Sequence, residues 1–195
     1  MKLAQSTMLM ANERENVESA IAGDIIGIYD TGNYQIGDTL TTTKEPLFFE
    51  PLPTFPPELF AMVSPKNTMK AKQFQKGVDQ LAQEGAIQVY RNQYNEVVIG
   101  AVGQLQFEVF EYRLKNEYNV DIIREDLSYE YIRWITSQKH LDGGLDELKK
   151  LVLTSDTKLI QDVRGNYLLI FTSEWNIKWA LDKNEGLELA EFSRN

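Results

Sequence analysis

Cysteine is absent from this 195-residue chain, and histidine occurs once, at His140. Without thiols there is no disulfide and no thiolate metal site, and a lone imidazole cannot build a multi-histidine centre. No apolar run approaches the ~20 residues of a bilayer-spanning helix. The start, Met1 to Thr7, has no apolar stretch of signal-peptide length, so a cytoplasmic protein is expected. Basic residues are also in deficit: 20 Lys and Arg stand against 29 Asp and Glu, a net charge of −9. Uniform coating by nucleic acid is thereby disfavoured, because phosphate binding draws on cations. Phosphate-binding loops are missing too. There is no Gly-x-x-x-x-Gly-Lys-Ser/Thr run and no Asn-Lys-x-Asp. Asp24-Ile25-Ile26-Gly27 fits the Asp-x-x-Gly pattern of nucleotide hydrolases. It reads as strand and follows no helix-opening phosphate cradle, so the match is accidental. Asp38, Asp121, Asp126 and Asp142 are scattered, and Ser128, Ser137 and Ser155 lie in no nucleophile elbow. No catalytic, cofactor-binding or metal-ligating residue is expected.

What is present is one good core, or one core plus a smaller one: 43% of residues are hydrophobic and 25% charged. Four of the six prolines, Pro51, Pro53, Pro56 and Pro57, form a stiff linker. The boundary drawn there separates residues 1–52 from 53–195. The first part reads as β structure. Met8-Leu9-Met10 is a short apolar run, and Ala22–Tyr29 is a glycine-interrupted strand. Asp30–Asn33 is a turn, Tyr34–Ile36 is extended, and the threonines 39 and 41–43 favour strand. The polar run Glu13–Ala20 reads as a loop or helical turn. The whole suggests part of a small β-barrel with an open edge.

Past the linker the elements alternate regularly. Glu58–Val63 reads as a strand. A helix from about Met69 to Glu84 has Ala71, Phe74, Val78 and Leu81 at three- and four-residue spacing and Gly85 behind it. Ala86–Tyr90 and Glu96–Val102 form a hairpin. A helix runs from Gln104 to Tyr118, with Leu105, Val109 and Tyr112 on one stripe, widened by Phe107, Phe110 and Leu114. Val120–Arg124 completes a βαββαβ order, the ferredoxin-like arrangement. An α/β extension follows: strands at 129–135, 158–162 and 167–171, a short helix at 145–150, and a helix opened by Ser173-Glu174. The fold class is α+β. No internal repeat is evident.

One segment counters the acidic balance. From Ser64 to Gly77 the chain carries Lys66, Lys70, Lys72 and Lys76 and no acid, which reads either as a solvated helix face or as the chain's best RNA- or ribosome-facing surface. His140 reads as an exposed loop residue. Gly103 reads as a helix-start break, and Trp175 and Trp179 read as packing residues on one helix face.

Several stretches resemble the translational GTPases in order. AGDIIGIYDTGNYQIGDTL (22–40) resembles the end of their second, barrel domain. FEPLPTFPPELFAMV (49–63) resembles the linker and first strand of the release factor 3 branch. KQFQKGVDQLAQEGAIQVY (72–90) and GAVGQLQFEVFEYRL (100–114) resemble the two helices of its third domain, and Arg133–Ile135 and Asn176–Asn184 its distal region. The resemblance implies a ribosome-contacting C-terminal part of a GTPase that stimulates release and recycling of stop-codon-reading factors. Residues 1–52 would be the second part of domain II, and 53–195 the domain that follows it. It also implies small-subunit and rRNA partners, no membrane, and GTP with Mg²⁺ only in a G domain outside this chain, which reads as a fragment and not as an enzyme. Corresponding parts of an elongation factor G-like or ribosomal-protection GTPase, or an independent ferredoxin-like binding module, are the alternatives.

Overall fold

A computed structural model describes residues 6–10, 13–16, 19–28, 37–45, 47, 49 and 55–192. The chain divides into two compact units, Met1–Phe49 and Glu50–Asn195. The first contains β1 (Ser6–Met10), β2 (Glu13–Asn16) and β3 (Ile26–Ile28), an antiparallel sheet in the order β2-β1-β3. The strand β2 occupies the start of the polar run expected to be a loop. Its register runs from Met10 opposite Glu13 to Thr7 opposite Asn16. Backbone pairing needs no apolar side chains, and a charged strand suits a sheet edge. The strand expected over Ala22–Tyr29 is shorter, because Ala22 and Gly23 turn, with Gly23 at φ 101°. The threonines 39 and 41–43 form no strand among the described residues. Thr41 and Thr43 bond each other instead: their hydroxyls lie 2.9 Å apart, and Thr43 N–H donates to Thr41 Oγ1 at 3.1 Å. The expected turn at Asp30–Asn33 and extended Tyr34–Ile36 lie outside the described residues.

The second unit is built on one eight-stranded antiparallel sheet. Its first half runs β4 (Leu59–Pro65), α1 (Ala71–Gln83), β5 (Gln88–Asn92), β6 (Val97–Ala101), α2 (Gln104–Tyr118) and β7 (Ile122–Leu127). The second half runs β8 (Tyr131–Ile135), α3 (Gln138–Asp142), α4 (Gly144–Leu148), β9 (Thr157–Asp162), β10 (Tyr167–Phe171), α5 (Glu174–Lys183) and β11 (Leu189–Ala190). The order across the sheet is β11-β8-β10-β9-β5-β6-β4-β7. Numbering each half's strands one to four, this reads 4-1-3-2 followed by 2-3-1-4. Each half is therefore a βαββαβ unit, the split-βαβ connectivity, and the two join edge to edge through their second strands.

The repeat missed in the sequence is thus present in the backbone. The β5–β6 and β9–β10 hairpins superpose in numbering at an offset of 70 residues. Asn92 Oδ1 accepts from the N–H groups of Tyr94 and Glu96, and Asp162 Oδ1 accepts from those of Arg164 and Asn166. The left-handed turn residue is Asn95 in one and Gly165 in the other. Arg91 pairs directly with Gln161, its own equivalent, so a local pseudo-twofold passes between them. Side chains at equivalent positions differ, which is why composition hid the relation.

Both helices of the first half pack on one sheet face. Phe74, Val78 and Leu81 from α1 and Phe107, Phe110 and Leu114 from α2 meet Ala61, Val63, Val89, Val97, Ile99 and Ala101. The helices approach closely at Gly77, where a Cβ would lie 2.6 Å from Leu114 Cδ2. Two readings change here. Ala71 is exposed, a 3-10 turn at Thr68–Lys70 having taken the helix start. The stripe Leu105, Val109, Tyr112 faces solvent, and the residues expected to widen it are the core. At Asn119 the chain turns left-handed (φ 55°), and the N–H groups of Asn119 and Val120 both bond back to Leu114 O.

The opposite face buries Phe60, Tyr90, Val98, Ile132, Ile160, Leu168 and Ile170, drawn from both halves. Connectivity explains how. In a flat sheet β7 and β8 would stand six spacings, roughly 29 Å, apart. Only four residue steps separate Leu127 from Tyr131, a reach of about 14 Å at most. The sheet therefore curls, with this cluster inside and the helices outside. The connecting segment seals the curl: Tyr129 stacks edge-on against Phe60 at 6.4 Å, and Glu130 N–H bonds Phe171 O.

Candidate functional site

The lysine segment begins where β4 ends. Lys66 N–H bonds Asp121 O at 2.9 Å, which holds the exit of β4 against the start of β7. Asn67, extended at φ −111°, accepts from Met69 N–H at 3.0 Å and caps the 3-10 turn. The turn then feeds α1, whose first turn contains no acidic residue. Cations gathered at a helix N-terminus oppose the helix dipole, and the sum is a positive potential suited to an anion.

The four lysines differ in their surroundings. The Lys70 ammonium donates to Asn119 O, the residue that terminates α2, and so ties the start of α1 to the end of α2. Lys66 lines a depression of about 370 Å³ with Glu108, Glu111, Tyr112, Lys115 and Asp121, in which Asp121 is paired with Lys115 and Glu111 with Arg124. Lys72 and Lys76 are exposed, one turn apart, on the face of α1 opposite Phe74, Val78 and Leu81. Neither is in an ion pair among the described residues. Further along, Asp79 on the same helix is engaged by Arg91 at 3.2 Å. The outward, uncommitted cations are therefore Lys72 and Lys76. Nothing in the residue order separates Lys70 from them, since its partner lies 49 residues away.

Other candidates resolve differently. Asp24 Oδ2 accepts from Ile21 N–H at 2.8 Å, so its carboxylate closes a local turn. His140, expected in an exposed loop, is buried on α3 with Nδ1 3.0 Å from Ser137 Oγ. The helical start at Gln138 turns the ring inward, a placement that a lone histidine beside Lys139 did not signal. Gly103 begins α2 in extended geometry and a Cβ there would meet nothing, so it is a helix start and no close approach. Trp175, expected to pack, is 60% exposed, while the core side of α5 is Asn176 and Ala180.

Charge pairs organise the surface around α2. Arg113 reaches Glu84 and Glu117, both at 2.6 Å. Those bonds raise the guanidinium pKa further and hold the Glu117 carboxyl below its ordinary value. Inside the curl, burial first and the nearby Asp162 charge second push the Tyr90 phenol well above its ordinary value, and its hydroxyl donates to Gln88 Oε1 at 2.8 Å.

Comparison with known proteins divides the chain in the same order. A family model described as elongation factor G domain 2 matches residues 1–43, and one described as class II release factor RF3, C-terminal domain, matches residues 49–181. Peptide chain release factor 3 of Staphylococcus saprophyticus is 49% identical over 189 residues, covering 96% of this chain and 35% of the relative. That of Staphylococcus haemolyticus is 47% identical with the same coverage. That of Streptococcus uberis is 48% identical over 191 residues, 97% of this chain and 36% of the relative. The chain thus spans little more than a third of the length of the relatives it matches.

Proposed function

The chain belongs to the release factor 3 family of translational GTPases, and from that premise we propose that it is the non-catalytic, ribosome-contacting part of a translation-termination factor. The observation that carries this reading is the ordered pair of matches, a barrel domain followed by the release factor domain, across nearly the whole chain. In this reading the first unit is the later part of a barrel. The curled double βαββαβ sheet is a rigid arm that docks on the small subunit of a cytoplasmic ribosome. Its role is positional: docking fixes the orientation of a GTP-hydrolysing domain elsewhere in the full-length factor, and through it the release and recycling of stop-codon-reading factors.

Lys72 and Lys76 are the residues for rRNA phosphate, because they are exposed, without an ion pair among the described residues, and near the positive end of α1. Lys66 supports them at the edge, and Lys70 positions the segment through Asn119. The residues of this chain do not fit GTP or its Mg²⁺. Asp24 is committed to Ile21 N–H, and the sequence has no phosphate-cradling loop, so no chemical step is assigned here. Co-sedimentation of the chain with purified small and large ribosomal subunits tests the reading. Selective pelleting with small subunits is expected, and absence of pelleting with either subunit would reject it.

A further inference from the structure

On α5 two tryptophans lie one turn apart, Trp175 exposed and Trp179 half-buried. The rings of Trp175 and Trp179 have centroids 5.3 Å apart and are tilted by 33°. The Lys183 ammonium sits 5.0 Å from the Trp179 centroid, so the chain itself shows a cation resting on this surface. Trp175 has no cation of its own among the described residues, and it is 60% exposed. Burying an indole is strongly favourable, so the exposed Trp175 ring, on a helix that already has a core side, asks for an occupant.

The surroundings favour one kind. On α5 itself Glu174 and Asp182 are exposed beside Lys178 and the already engaged Lys183, and the segment that follows the helix adds the exposed Glu185 and Glu188. The chain as a whole carries −9. Phosphate would be repelled here, whereas a guanidinium or ammonium would gain both the ring face and the carboxylates. The other half of the pseudo-twofold sharpens the point. Its equivalent helix α2 places Leu105 and Val109 at the matching exposed positions, which offer area but no π face.

We propose that the Trp175 face is a docking point for an arginine or lysine side chain of a basic protein segment, with Glu174 and Asp182 as flanking carboxylates. The site is separate from the lysine segment on α1, and its failure would leave the rRNA reading standing. The test uses the whole chain, ¹⁵N-labelled. Its three tryptophans give three indole N–H signals, and W175A identifies the one from Trp175. The chain is titrated with a short alternating arginine–serine peptide and, separately, with oligoadenylate. The expected result is a saturable shift of the Trp175 signal by the peptide and none by oligoadenylate. Peptide affinity should fall about three- to thirty-fold in W175A and much less in W175F. Unchanged affinity in W175A, a Trp175 response to oligoadenylate alone, or no response to either probe would overturn the proposal. The side chain is mostly exposed, so both variants should keep the parent's unfolding midpoint.

Discussion

Asn92 and Asp162 close the same turn on neighbouring strands. Each sets a side-chain oxygen on two backbone N–H groups, those of the residues two and four positions on, at 2.9–3.0 Å. Through the Arg91–Gln161 pairing the two turns stand about the pseudo-twofold that relates the halves of the sheet.

Because Asn fills the role in one half, Asp162→Asn should be tolerated, with a change in unfolding free energy within about 0.5 kcal/mol. Asp162→Ala leaves two N–H groups without their acceptor and should lower stability by about 1–2 kcal/mol. Urea unfolding followed by far-ultraviolet circular dichroism separates the two. Equal loss in both variants would mean that charge, and not the acceptor, matters at this position.

At Gly77 an added Cβ would lie 2.6 Å from Leu114 Cδ2 and 2.9 Å from the Tyr118 ring. Gly77→Ala gains about 1 kcal/mol of helix propensity and meets overpacking of about 1–3 kcal/mol. A net loss of about 1 kcal/mol is expected in the unfolding free energy from urea denaturation. Gly103→Ala, where a Cβ meets nothing, should lie close to the parent. Stabilisation by Gly77→Ala would show that α1 and α2 are less tightly packed.

Element positions were readable where periodicity and end signals agreed. The helix from Gln104 to Tyr118 has a glycine before it and an αL asparagine behind it, and it forms over the residues expected. Its orientation was not readable. Leu105, Val109 and Tyr112 make a stripe as regular as Phe107, Phe110 and Leu114, and only docking on β4 and β6 selects between them. The lysines show the same limit, because Lys70 is assigned by a carbonyl on another element. The two-residue strand β11 follows from pairing with β8 within an acid-rich run that has no strand pattern.

Tyr90 gives the protein an alkaline limit. Its folded pKa is raised, so above about pH 10 the unfolded chain loses a proton that the folded chain keeps. The contribution is fully present below that pH and is lost as pH rises beyond it. Urea midpoints measured from pH 8 to 11 should fall less steeply for Tyr90→Phe than for the parent. Parallel slopes would assign the alkaline loss to other groups.

Calorimetric titration of the chain with GTP and Mg²⁺ should be flat. The carboxylate of Asp24 is spent on Ile21 N–H, and the sequence has no cradle for phosphate. Saturable heat at micromolar nucleotide would require a site built from residues other than these.

The central claim is tested most directly by the salt dependence of binding to purified small ribosomal subunits, for the parent and for the double variant Lys72→Glu, Lys76→Glu. The two lysines point outward from α1, away from its core side, so their reversal should leave the unfolding midpoint in place. The account predicts affinity that falls with salt in the parent. In the variant, affinity should be weaker and the slope of log K against log salt shallower by roughly two. Identical affinities and slopes for the two proteins would contradict the assignment of α1 as the rRNA-facing surface.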